Sequence, residues 1–170
     1  MKDLDIFTNL RELDMSYNQF KDVVIHKDEA QLRLTKLQKL DLSFNHFRDN
    51  TFSFLEGLSN LESLVMNGNN LQGSIDIKGL RNLTNLKYLD LSWNQIESLQ
   101  SYNDAGTKLK QFAHLEELRL DGNLFNNSAF ASLKVFSNLK NLSISYNLLK
   151  GSLDMKGKGI FFLSKFFQVC

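Results

Sequence analysis

The chain has 170 residues, 42% of them apolar and 23% charged, so it is long enough for one folded unit and too apolar to be disordered throughout. Its 20 basic and 19 acidic residues leave a formal charge of +1 spread along the chain, which provides neither a basic face for nucleic acid nor a polybasic arm for a membrane surface. The sole cysteine, Cys170, has no partner with which to close a loop, so cysteine usage says nothing about redox compartment.

The opening residues, Met1 to Ile6, interleave charged and apolar side chains and lack the apolar run and small-residue cleavage site of a secretory signal, so no signal peptide is expected. Six units then follow in chain order, each fitting the template LxxLxLxxNxL. They are Leu10, Leu13, Met15, Asn18, Phe20; Leu37, Leu40, Leu42, Asn45, Phe47; Leu61, Leu64, Met66, Asn69, Leu71; Leu86, Leu89, Leu91, Asn94, Ile96; Leu115, Leu118, Leu120, Asn123, Phe125; and Leu139, Leu142, Ile144, Asn147, Leu149. Successive asparagines stand about 24 to 29 residues apart, inside or at the edge of the leucine-rich-repeat window and outside the periods of other repeat families.

The central LxLxx of each unit alternates like a strand, with one set of side chains pointing into the coil and the other out. The predicted fold is therefore an α/β solenoid, a leucine-rich-repeat horseshoe of about six repeats with a parallel concave sheet. Each repeat asparagine ends its strand at a tight bend, where its amide can both donate to and accept from backbone groups left unpaired. Stacked copies of Asn18, Asn45, Asn69, Asn94, Asn123 and Asn147 are expected to form a polar ladder.

Short or irregular helices are expected in the convex segments. Asp28 is placed to cap a turn through Leu34, and Thr51 to Leu58 carries Phe52, Leu55 and Leu58 at spacings of three. The longest insertion, Gln100 to Lys108, contains Asn103-Asp104-Ala105-Gly106 and reads as a surface loop.

A longer period spans three repeats. Gly73-Ser74-Ile75-Asp76-Ile77-Lys78-Gly79 recurs as Gly151-Ser152-Leu153-Asp154-Met155-Lys156-Gly157, displaced by the same interval that relates Asn45 to Asn123 and Asn69 to Asn147. Duplication of three-repeat blocks accounts for this. After Gly157 another repeat is due, but residues 158 to 170 hold neither the asparagine nor the leucine spacing. The expected division is thus a repeat array over 4–157 and a divergent tail over 158–170. A terminal cap is one account of the tail, and a truncated or misspliced product is the other. Phe161, Phe162, Phe166 and Phe167 make a poor polar cap, and no capping module precedes Leu10, which favours the second. The most apolar part of the tail, Ile160 to Val169, is broken by Lys165 and falls short of the ~20 residues of a spanning helix.

The phrases Leu40-Asp41-Leu42-Ser43-Phe44-Asn45, Leu89-Asp90-Leu91-Ser92-Trp93-Asn94 and Asn69-Asn70-Leu71-Gln72-Gly73-Ser74-Ile75 resemble the extracellular repeats of plant receptor-like proteins and receptor kinases. The resemblance covers about residues 4 to 157. The family's NxLxGxIP motif closes on a proline, and this chain contains none, which leans toward the receptor-like proteins with short cytoplasmic tails. The resemblance implies an ectodomain at the plasma membrane that binds a peptide or microbial protein and signals through a partner kinase. Three N-glycan acceptor triplets, beginning at Asn82, Asn126 and Asn141, agree with a secreted history, although asparagine-rich repeats also produce such triplets by chance.

The outward strand positions form the candidate ligand-binding face: Asp41, Tyr88, Asp90, Trp93, Glu117, Arg119, Asp121 and Tyr17 are its most chemically distinctive members. Six acidic residues (Glu12, Asp14, Asp41, Asp90, Glu117, Asp121) against two basic ones (Lys39, Arg119) make this face acidic on a nearly neutral chain, which favours a basic partner. A solvated scaffold is the stronger account of the aspartate and serine of LDLS, since most interface residues contribute little energy. Tyr17, Phe44, Trp93 and Tyr146 share one column beside the asparagine ladder, where they are either interface anchors or packing over the bend.

No cofactor is implied, and catalysis is not expected. His26, His46 and His114 lie in separate bend or convex positions without a nucleophile or ligand spacing, and Gly157-Lys158-Gly159 lacks the rest of a phosphate loop. The alternatives to a receptor's protein-binding module are a decoy or inactive truncated receptor fragment and a secreted inhibitor of a pathogen enzyme.

Overall fold

Alternation within each LxLxx converts directly into strand geometry. The computed structural model describes residues 7–22, 34–48, 52, 55, 57–80, 82–100, 112 and 114–152. Six three-residue strands, β1 (Glu12–Asp14), β2 (Lys39–Asp41), β3 (Ser63–Val65), β5 (Tyr88–Asp90), β7 (Glu117–Arg119) and β8 (Asn141–Ser143), stack in that order as one parallel sheet. Their register is fixed by the inward leucines: Leu13, Leu40, Leu64, Leu89, Leu118 and Leu142 stand opposite one another across five pairings. A one-residue slip would expose this whole row, so burial itself sets the register.

The stacking outlasts the strands. Met15, Leu42, Met66, Leu91 and Leu120 each donate a backbone N–H to the neighbouring repeat, at 2.8–2.9 Å. The second inward row, with Leu42, Met66, Leu91, Leu120 and Ile144, is buried with Leu40, Leu64, Leu89 and Leu118 of the first and with Phe47, Leu71, Ile96 and Phe125 in one continuous core, against which the half-buried Leu13 and Leu142 pack at the two ends. No repeat encloses that core alone, because each contributes only one slice of it.

On the opposite side of the coil, short helical turns appear as anticipated. Residues 77–80 form a 3-10 turn burying Ile77 and Leu80, and α1 (Ala129–Leu133) is a five-residue helix burying Ala129 and Leu133. Phe52, Leu55 and Leu58 are buried, in keeping with their spacing. A second sheet accompanies these turns: β4 (Gln72–Asp76) pairs in parallel with β6 (Gln95–Gln100), with an irregularity between Gly73 and Ser74. Ile75, Ile96 and Leu99 turn inward, while Gln72, Ser74 and Gln95 face out. Neither segment has a strand's strict alternation, since Ile96 and Leu99 stand three apart and Ile75 is the one large apolar residue of β4, so this sheet differs from the expected short helices.

The turn assigned to Asp28 and the divergent tail over 158–170 lie outside the described residues, as does the Gln100–Lys108 loop except for Gln100, which closes strand β6. Among the described residues, no helix is long and apolar enough to cross a membrane.

Candidate ligand-binding face

The asparagine ladder defines one border of the concave sheet. Asn94 donates from Nδ2 to the carbonyls of Leu91 and Ser92 at its own bend and of Met66 in the preceding repeat, at 3.0–3.1 Å, and its Oδ1 accepts the N–H of Leu71. Asn45, Asn69, Asn123 and Asn147 repeat this arrangement, each tying its bend to the repeat before it. Asn18, with no earlier repeat among the described residues, makes only the two local bonds to Met15 and Ser16.

The residue before each ladder asparagine has a left-handed backbone: Tyr17, Phe44, Gly68, Trp93, Gly122 and Tyr146 have φ of 54°, 51°, 66°, 55°, 63° and 54°. Glycine adopts this conformation without a steric penalty, whereas a bulky aromatic is an outlier there. The two glycines also act as seats. A Cβ on Gly68 would stand 2.7 Å from the Phe44 ring, and one on Gly122 would stand 2.5 Å from the Trp93 ring. Tyr17 stacks on Phe44 at 4.4 Å between centroids, and Trp93 reaches past Gly122 to Tyr146 at 5.9 Å. The column is therefore two aromatic couples, with no ring contact joining Tyr17–Phe44 to Trp93–Tyr146. It remains open, since Tyr17, Phe44, Trp93 and Tyr146 are 75%, 42%, 56% and 71% exposed.

Charge on the concave strands is partly cancelled in place. Lys39 Nζ meets Glu12 across β1 and β2 at 2.7 Å, and Arg119 Nε meets Glu117 on β7 at 2.8 Å. Each partner holds its cation's pKa above the ordinary value. Asp14, Asp41, Asp90 and Asp121 are left with no ion pair to a described lysine or arginine. They are braced instead by hydrogen bonds. Asp14, Asp41 and Asp90 accept the N–H two residues ahead, from Ser16, Ser43 and Ser92. Asp121 accepts from Ser145 N–H and Ser143 Oγ in the next repeat. The serine of LDLS thus supplies a donor to the aspartate, and the Ser16 N–H holds the Asp14 carboxyl below its usual range.

Tyr88, Asp90, Glu117 and Arg119 come together between β5 and β7. The Tyr88 hydroxyl donates to Asp90 Oδ2 at 3.3 Å, and the Arg119 guanidinium lies over the Tyr88 ring, 5.6 Å from its centroid. Burial, followed by the Asp90 charge, pushes the Tyr88 phenol up to about 12. Of the other candidate positions, Asp41 lies beside Asp14 in the sheet register, and Tyr17 and Trp93 belong to separate aromatic couples.

Along the opposite border of the sheet runs a row not singled out in the sequence, where Lys87 pairs with Glu62 at 2.7 Å and Lys140 with Glu116 at 2.9 Å. The signal for it was the opposite charge recurring at one template position in neighbouring repeats. Exposed ion pairs of this kind are screened by solvent and add little to stability, so they favour register more than stability. The three acceptor asparagines occupy different places. Asn82 and Asn126 are exposed away from the sheet, whereas Asn141 opens strand β8 on the concave face itself. His46 and His114 are exposed and far apart in sequence, His26 lies outside the described residues, and no cluster of three metal-ligating side chains occurs among the described residues.

Comparison with known proteins gives the same architecture. Profiles described as "Leucine rich repeat" match residues 35–96 and 8–23. Receptor like protein 21 of Arabidopsis thaliana is 32% identical over 129 residues, covering 72% of this chain, which spans 12% of that protein's length. A leucine-rich-repeat protein of Leptospira interrogans superposes with a TM-score of 0.68 at 24% identity, over 86% of this chain and 34% of that one, a likeness of fold alone. The ectodomain of the Arabidopsis thaliana receptor kinase GASSHO1/SCHENGEN3, solved in complex with CASPARIAN STRIP INTEGRITY FACTOR 2, superposes with a TM-score of 0.58 at 25% identity, over 86% of this chain and 17% of that one. The repeat anchors, the parallel sheet, the asparagine ladder and these matches together identify the chain as a leucine-rich-repeat protein of the plant receptor-like kind.

Proposed function

We propose that the concave sheet binds a basic protein or peptide ligand, as part of a plant cell-surface receptor that signals through a partner kinase. The observation that carries this reading is the charge left after internal pairing. Glu12 and Glu117 are neutralised by Lys39 and Arg119, and Asp90 is buried opposite Arg119, while Asp14, Asp41 and Asp121 remain as fixed carboxylates without an ion pair along one face. Braced side chains lose little freedom on binding, so they suit a recognition surface. The receptor-like relative and the ligand-bound ectodomain of the same fold support the cell-surface setting. The N-glycan triplets at Asn82 and Asn126 leave the sheet clear, whereas a glycan at Asn141 would stand on it.

Replacing Asp41, Asp90 and Asp121 together by asparagine keeps an acceptor for each serine N–H while removing three charges. Fluorescence anisotropy with a labelled octa-arginine peptide should show binding that weakens with salt, and that drops about tenfold or more in the triple variant. Equal binding by the triple variant, or equal binding of an octa-glutamate peptide, overturns the reading.

A further inference from the structure

We propose that the aromatic column Tyr17–Phe44 and Trp93–Tyr146 is the arginine-seating rim of the concave face, where an extended, arginine-bearing segment of the partner protein docks. This deepens the proposed function and rests on it.

Three observations lead to it. The fold does not require aromatic residues at these positions, because Gly68 and Gly122 serve the same left-handed corner in repeats three and five. An aromatic there carries a conformational penalty that glycine does not. With 42–75% of each side chain exposed, burial returns only part of it. Strained, exposed rings in a single column are better explained by what they meet than by what they pack on.

The second observation is electrostatic. Asp14, Asp41 and Asp90 lie three residues before Tyr17, Phe44 and Trp93, and Asp121 immediately precedes Gly122, on which Trp93 rests. Among the described residues no lysine or arginine side chain lies over any of the four rings, and none pairs with the four carboxylates. A cation brought to this border of the sheet is attracted by the exposed rings and by the Asp14, Asp41 and Asp121 carboxylates of the same strands and bends.

The third is that the chain already contains this arrangement with its cation in place. Arg119 lies over the Tyr88 ring with Glu117 on its Nε and Asp90 on the tyrosine hydroxyl. At Tyr17 and Phe44, with Asp14 and Asp41, the rim repeats the ring and carboxylate without a resident guanidinium, whereas Asp90 beside Trp93 is shared with the Arg119 group. Arginine fits better than lysine, since its planar, weakly hydrated guanidinium stacks on rings while its N–H groups reach carboxylate oxygens. Two aromatic couples separated by a gap call for an extended segment presenting more than one arginine.

Trp93 is the only tryptophan, so its emission reports the rim directly. Octa-arginine, octa-lysine and octa-glutamate peptides would be titrated against the full chain, following Trp93 emission and, with labelled peptides, anisotropy. Trp93→Gly/Tyr146→Gly supplies the variant, because glycine is what the fold uses at the equivalent corners, and its thermal midpoint should match the parent. The expected result is a change in Trp93 emission with octa-arginine, about fivefold or more weaker binding of octa-lysine, and loss of that preference in the glycine variant. An unchanged Trp93 signal, equal binding of the lysine peptide, or an undiminished arginine preference in a folded glycine variant overturns the rim. If the asparagine triple variant still loses binding in those cases, the concave-face reading survives alone; if no basic peptide binds at all, both fall.

Discussion

A single asparagine per repeat satisfies backbone groups in two repeats at once. Asn94 is buried and contacts Met66, Leu71, Leu91 and Ser92, so removing its amide leaves both the bend and the preceding repeat with unpaired polar groups. Asn94→Ala should therefore lower stability by about 1–3 kcal/mol, as chemical denaturation would measure. Asn18 is exposed and makes only local bonds, so Asn18→Ala should cost well under half as much. Equal losses at the two positions would mean that the inter-repeat bonds are not what the ladder contributes. The template revealed all six asparagines; the bonds that Asn45, Asn69, Asn94, Asn123 and Asn147 make to the repeat before them were not legible in it, because they depend on how successive bends stack.

Between elements, β5 and β7 show how parallel pairing assembles a site. Tyr88 stands opposite Glu117 and Asp90 opposite Arg119, residues about thirty apart in sequence that the register brings together. Their grouping as outward residues was legible from alternation; the ring under the guanidinium was not, because it depends on rotamers chosen after the strands pair. The Tyr88 phenol titrates in the folded chain at about 12, above its reference of 10.0. A raised value means that the fold favours the neutral phenol, so this contribution is fully present below about pH 10 and fades as pH rises toward 12. Absorbance at the phenolate band, taken as wild type minus Tyr88→Phe, should show the missing proton leaving near 12; release at the reference value would refute the burial of the ring. Sheet β4–β6 illustrates the opposite case, since Gln72–Asp76 and Gln95–Gln100 lack a strict period of two and pair through an irregular register that only neighbouring repeats supply.

At the scale of the molecule, stability accumulates from slice-on-slice burial. Leu89 lies in the middle of the sheet, fully buried and paired with Leu64 and Leu118, so Leu89→Ala should cost about 2–5 kcal/mol. A thermal midpoint equal to the parent's would contradict a continuous core. The sequence by itself determined the repeat period, the inward rows and the asparagine ladder, because a solenoid imposes the same burial at the same template position in every turn. The tertiary structure alone decided which outward charges cancel, that the LDLS aspartates are braced by serine donors, and that the aromatic column divides into two couples seated on Gly68 and Gly122. Inward positions are fixed by period, a local property of the chain. Outward ones are fixed by what the neighbouring repeat presents across the strand spacing, and that neighbour is set only once the coil has closed.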